Sequence, residues 1–221
     1  MTKRIRKKKN AAAVSIIGGA DGPTSVFIAG KTKKRSLKEK MRQKIHSRKM
    51  DKAASSIKAE YHTFDEVALY LRNKYHAVES SKQSVSYQEQ YKCVKESLIL
   101  RYRPELLGDL AQIPKLGGRT RSSIEEFIRQ TKLRSDAAQA VSQEQFPIDF
   151  HLYIICTQAG RIEFAMERTW GIISCSYSGK KKEMKRLKAI NKDVYLYYGV
   201  TEEDIRNKTE RYQGLVTVLA T

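Results

Sequence analysis

The hydrophobic period of this chain switches near residue 149 and switches back after about residue 177, and that interruption limits the fold more than any other feature. From 149 to 157 apolar residues alternate, with Phe150, Leu152, Ile154 and Cys156 on one face. The alternation repeats over 161–168 through Ile162, Phe164 and Met166, after a Gln158-Ala159-Gly160 hairpin loop. Trp170-Gly171 then leads into a third strand from Ile172 to Tyr177. Before and after this stretch the spacing is that of helices, three or four residues between apolar positions. Helices and strands in separate runs define an α+β fold. It has a helical first half, a three-stranded antiparallel meander, two C-terminal helices and an extended basic N-terminal arm.

Capping residues place the helices. Thr63-Phe64-Asp65-Glu66 is a capping box that opens a helix with Val67, Leu71 and Tyr75 on one face. A second box, Ser86 to Glu89, predicts a helix that carries Tyr91, Val94, Leu98 and Ile99 toward the core. Pro104 stops it and begins a short helix through Leu106, Leu107 and Leu110. Gly117 and Gly118 make a loop, after which Ser123 and Glu126 cap a helix bearing Phe127, Ile128 and Leu133. Past the meander, Gly179 introduces a helix to about Tyr198, Gly199 ends it, and Thr201 starts the last helix through Ile205, Tyr212, Leu215 and Leu219.

The N-terminal part has a different character. The 221 residues carry a net charge of +19, and residues 1–50 hold 16 Lys and Arg against Asp21 and Glu39 alone. The organisation is therefore a basic tail (1–10), an apolar glycine-rich segment (11–31), a basic helical arm (32–60) and an α+β globular domain (61–221). In the arm, Leu37, Met41, Ile45 and Met50 form a thin apolar line among Lys38, Lys40, Arg42, Lys44, Arg48 and Lys49, which reads as an arm and not as a core helix. Such charge attracts polyanions, either nucleic acid or an anionic membrane. The candidate polyanion-binding residues are Lys3, Arg4, Arg6, Lys7, Lys8, Lys9, Lys33, Lys34 and Arg35.

Within the second segment two apolar arms, Val14 to Ile17 and Val26 to Ala29, flank Gly18, Gly19, Asp21, Gly22 and Pro23. Ile17-Gly18-Gly19-Ala20-Asp21-Gly22-Pro23-Thr24, followed by Ser25-Val26-Phe27-Ile28, closely resembles a signature of the beta subunit of the sodium-translocating decarboxylases, membrane pumps acting on oxaloacetate, methylmalonyl-CoA or glutaconyl-CoA. The resemblance implies an interrupted membrane segment and makes Asp21 the counterpart of an aspartate that takes part in sodium binding. Sodium is the one ion it implies. It covers less than a tenth of the chain, and residues 32–221 do not extend it.

Read by its own chemistry, the segment is a poor membrane span. Ala11 to Gly30 has about the 20 residues a helix needs to cross, but a central aspartate costs roughly 2.5 to 3.5 kcal/mol. Lysines and arginines flank both ends, so neither side is favoured for translocation. Met1 to Ile17 has the outline of a signal peptide, yet Asp21 and Pro23 break the apolar run and the cleavage signal is poor.

Other motifs carry little chemistry. Cys93, Cys156 and Cys175 have no metal-binding spacing, so no disulfide-linked partner is expected and a reducing cytoplasm fits. Gly30-Lys31-Thr32 lacks the first glycine of a phosphate loop, since Ser25 stands there. Of the histidines, His46, His62, His76 and His151, only His151, placed on a strand beside Glu163, has a partner of interest. Lys180, Lys181, Lys182, Lys185, Arg186 and Lys188 form a second basic cluster, backed by Met184, Leu187 and Ile190. The sequence thus points to a non-enzymatic, cytoplasmic protein that docks on a partner protein or peripherally on an anionic membrane surface. Two alternatives stand beside it: a sodium-transport component working with other membrane subunits, and a nucleic-acid-binding protein.

Overall fold

In the computed structural model, which describes residues 14–16, 26–28, 36–112 and 120–221, the alternating stretch becomes the centre of the molecule. The elements run β1 (Val14–Ile16), β2 (Val26–Ile28), α1 (Leu37–Ser56), β3 (Glu60–Tyr61), α2 (Phe64–Tyr75), β4 (Val78–Glu79), α3 (Val85–Tyr102), a 3₁₀ segment (Pro104–Ala111) and α4 (Arg121–Ala140). They continue through β5 (Phe150–Thr157), β6 (Gly160–Glu167), β7 (Ile172–Gly179), α5 (Met184–Tyr198), β8 (Gly199–Val200), α6 (Glu202–Asn207) and α7 (Glu210–Ala220). The class is α+β.

Strands β5, β6 and β7 form the expected antiparallel meander, in the register Phe150↔Glu167, Thr157↔Gly160 and Gly160↔Gly179. A short strand that the sequence did not announce, β4, extends the sheet at the β5 edge through Val78↔Ile154. Two residues are too few to display a period.

The sheet is buried on both faces. Tyr153, Ile155, Ile162, Phe164 and Met166 pack against α2, α5 and α7, through Val67, Leu71, Leu187, Val194 and Leu215. Phe150, Leu152 and Ala165 pack the other way, against Tyr87, Leu98 and Ile99 of α3, Leu107 and Ala138. The sequence pattern assigned one apolar face to β5, from Phe150 to Cys156. Instead Tyr153 and Ile155 on the other face are also buried, while Cys156 is exposed. Burying one such aromatic or aliphatic side chain stabilises by about 1.5 to 3 kcal/mol, so this double burial is the main source of stability.

The Thr63 box forms as predicted: the Thr63 amide donates to Glu66 Oε2 at 2.7 Å and the Glu66 amide to Thr63 Oγ1 at 3.3 Å. Two other helix starts lie earlier than predicted. The cap of α3 is Ser84, whose Oγ accepts from the Tyr87 amide; Ser86 sits in the first turn and its Oγ accepts from Arg161. The cap of α4 is Thr120, whose Oγ1 accepts from the Ser123 amide. In both cases two or three candidate cap residues crowd together, and a residue just upstream takes the extended backbone.

Packing along α4 is uneven. Ala138 is buried, but Ile128 and Leu133 are 59% and 44% exposed. The helix is tied down near its C-terminal end. There Arg134 pairs with Glu96 at 2.7 Å, and the buried Lys95 ammonium donates to the Gln139 and Val141 carbonyls. A cation at these orphan carbonyls also complements the helix dipole. Burial pushes the Lys95 pKa down.

Helix α5 begins at Met184, leaving Lys180 to Lys182 in the preceding turn. The last predicted helix is two, α6 and α7, separated at Lys208, where φ is +49°. Asp204 sits at the break. Its side chain closes a capping box with Thr201 and accepts from Thr209 Oγ1 at 2.6 Å, while its carbonyl accepts the Lys208 and Thr209 amides, which ends α6 in a left-handed cap.

Between α5 and α6, Gly199 is held at φ +59°, ψ −160°, a region open essentially to glycine alone. It pairs with Tyr61 in a two-stranded β3–β8 ladder. Arg211 fastens this ladder, its guanidinium lying 4.0 Å from the Tyr61 ring centre and 3.6 Å from that of Tyr198 and donating to the Gly199 and Tyr198 carbonyls. A Cβ at Gly199 would lie 1.7 Å from the Glu60 carbonyl oxygen. Gly199→Ala is therefore expected to lose about 3 kcal/mol or more, measured by urea unfolding. A loss below 1 kcal/mol contradicts the close approach.

Candidate anionic-surface interface

Helix α1 follows from its composition: residues 37–56 contain no glycine or proline and are rich in strong helix formers. Its start is fixed by Ser36. The Ser36 amide donates to Glu39 Oε2 at 2.8 Å, and the Glu39 amide to Ser36 Oγ at 3.2 Å.

The helix divides along its length. Near its C-terminal end Met50, Ala53, Ala54 and the following Ile57 pack on Tyr212, Val216, Leu219 and Ala220 of α7. Small residues at 53, 54 and 220 allow the two backbones to approach. The sequence reading of a free arm is thus corrected for this end, whose apolar residues are too small and too few to register as a core face. A groove of about 300 Å³ follows the seam, floored by Met50, Ala54 and Val216 and rimmed by Asp51 and Lys208.

Among the described residues, the first three turns have no such cover. Leu37, Met41 and Ile45 are 85%, 67% and 51% exposed. Lys40, Arg42, Lys44, Arg48, Lys49 and Lys52 are all exposed as well. At about 100° per residue, Leu37, Met41 and Ile45 share an arc of about 80° with Arg48 and Lys52, with Lys44 at its edge. Met50, Ala53, Ala54 and Ile57 centre on the opposite side. The helix therefore has two apolar stripes, one seated on α7 and one turned away from α7. No acidic residue falls in the outward arc.

The sequence-predicted site residues Lys3, Arg4, Arg6, Lys7, Lys8, Lys9, Asp21, Lys33, Lys34 and Arg35 lie outside the described residues, as does Gly30-Lys31-Thr32. Of the signature segment, the backbone of β1 and β2 is described, paired antiparallel as Val14↔Ile28 and Ile16↔Val26. Among the described residues no helix is long and apolar enough to cross a membrane, and no group of three or more His, Cys, Asp and Glu side chains is placed to hold a metal ion. The second basic cluster is exposed at all six positions, with Leu187 and Ile190 buried behind it.

The polar clusters elsewhere are closed on themselves. His151 does not meet Glu163: it pairs with Met166, whereas Glu163 pairs with Ile154, and these lie on opposite faces of the sheet. Its ring nitrogens contact Glu79 at 2.6 Å and Asp149 at 3.0 Å, so neither is open to a substrate. Burial would raise the Glu79 carboxyl, but His151 and Arg72 together hold it below its ordinary range. The Glu167 carboxylate, fully buried, accepts from the amides of Asp149, Thr169 and Trp170. Gln90, Glu163, Ser174 and Ser176 line a recess too tight for a water-sized guest.

Asp193 on α5 accepts from Tyr70 at 2.5 Å, Tyr75 at 2.7 Å and Lys74 at 2.9 Å, binding α2 to α5. Burial opposes its ionisation, but hydrogen bonds from Tyr70, Lys74 and Tyr75 outweigh it and lower the pKa. The same arrangement pushes Tyr75 up to about 12, burial first and Asp193 second. Sequence spacing could not reveal the Asp193 and His151 clusters, because their members are far apart in the chain.

No protein-family model, no curated protein and no solved structure matches this chain.

Asp193→Asn should cost about 1.5 kcal/mol at pH 7, the lower end of the usual range of about 1.5 to 3 kcal/mol for hydrogen bonds to a charged group, because the side chain is partly exposed. A carboxyl whose pKa is lower in the folded state stabilises fully above its unfolded value of about 3.9 and loses that contribution as pH falls through the folded value. The stability gap between the native chain and the variant should therefore narrow below about pH 4, read from urea midpoints across pH. A gap that widens on acidification contradicts this account.

Proposed function

We propose that the protein is a non-enzymatic docking protein, in which the α+β body serves as a mount and the basic N-terminal third engages an anionic macromolecular partner. The observation that carries this reading is α1, anchored to α7 at one end and, at the described side chains of its first three turns, exposed, with six exposed cations along the helix. A solvated connecting helix does not need an outward apolar stripe. Each basic residue near an anionic surface contributes about 1 kcal/mol at physiological ionic strength, so six are enough for salt-sensitive, reversible binding.

Support for a non-enzymatic role comes from the clusters just described. Among the described residues the histidine and carboxylate groups with close partners are engaged in holding elements together, and the polar recess on the sheet admits no ligand.

The test compares two charge removals in the full chain. Lys44→Ala/Arg48→Ala/Lys52→Ala should weaken retention on a polyanionic matrix, heparin, at least fivefold more than Lys180→Ala/Lys181→Ala/Lys182→Ala, measured as binding at about 0.1 M salt. The two variants lose the same net charge. Equal effects would place the attraction in overall charge and remove α1 as the site.

A further inference from the structure

We infer that the outward face of α1 is a membrane-interface helix, which lies along a bilayer containing acidic phospholipid with Leu37, Met41 and Ile45 in the headgroup boundary. The inference rests on the docking reading above and names the partner of that same face.

Its basis is the chemistry of one arc. A helix that binds nucleic acid needs cations toward the phosphates and gains nothing from placing three large apolar side chains among them. A helix that binds a protein groove buries a wider apolar face, about 100° or more. The α1 arc interleaves Leu37, Met41 and Ile45 with Lys44, Arg48 and Lys52 and contains no acid. This suits a surface that is apolar below and anionic at its rim, where long basic side chains lay their methylene stems along the apolar residues and lift their charges to the phosphates.

Position agrees with composition. Residues 37–49 span about 18 Å at 1.5 Å per residue, and the packing of α1 on α7 is made beyond them, by Met50, Ala53, Ala54 and Ile57. The stripe seated on α7 faces away from the outward arc, so the anchored end holds the arc toward an external surface. The free energy of insertion is small, because only three apolar residues enter, and acidic lipid is required to make it effective.

The experiment is sedimentation of the full chain with vesicles of phosphatidylcholine, with and without phosphatidylglycerol. Binding is expected to acidic vesicles and to be at least tenfold weaker to neutral ones. Leu37→Ser/Met41→Ser/Ile45→Ser keeps every charge and should lower binding to acidic vesicles at least tenfold, with an unchanged urea midpoint because none of the three supports the core. In a second readout, Met41→Trp should show blue-shifted emission that brominated acyl chains quench. Undiminished binding of the serine variant, or emission that brominated lipid leaves unquenched, overturns the lipid assignment. Retention on heparin or RNA without vesicle binding also overturns it while leaving the docking reading intact; loss of both removes the two together.

Discussion

Burial of the β5–β6–β7 sheet on both faces is the constraint from which the rest of the architecture follows. An antiparallel sheet with one wet face would need a single helical layer. Here Tyr153, Ile162, Phe164 and Met166 on one side and Phe150, Leu152 and Ala165 on the other require two. The α2, α5 and α7 layer is locked by Asp193, which joins α2 to α5 through three hydrogen-bonding partners. The outer side of α7 then offers Val216 and Ala220 as a seat for the end of α1. Each layer fixes the next, and the last of them is only partly covered.

That partial cover connects fold to function. A helix that was buried along its length would have no surface left to offer, and one wholly detached would hold no fixed direction. The contact of Ala53 with Val216 and Ala220 gives α1 a mount, while Leu37, Met41 and Ile45 stay exposed on the side turned away from it. The tight β3–β8 ladder at Gly199 contributes to the same end, since Glu60 follows α1 by four residues and its partner Val200 precedes α6.

Much of the α+β body was legible in the sequence because its signals are local. The Thr63 box, the Gln158-Ala159 turn, the alternation of Ile162, Phe164 and Met166, and the glycine at 199 each act within a few residues, and each appears as expected. What escaped depends on distant partners. Strand β4 is two residues long and exists because β5 lies beside it; the break at Lys208 is a left-handed cap, with the Lys208 and Thr209 amides both turned onto the Asp204 carbonyl. His151 was paired with Glu163 on the assumption of a shared face, and register put them on opposite ones. For the candidate interface, the basic arm and its apolar line were visible early, but not that Met50 belongs to a second stripe. Only the seat on α7 separates the face that is used from the face that is free. The signature around Asp21 is the most specific wording in the chain, and Asp21 lies outside the described residues.

The most direct measurement is amide hydrogen exchange of the full chain with and without acidic vesicles. Amides of residues 40–49 sit in an exposed helix and exchange quickly unless something covers it. The account predicts slowed exchange there on adding vesicles, with β5, β6 and α5 unchanged. Exchange over 40–49 that is identical with and without vesicles, under conditions where the protein is bound, would contradict it.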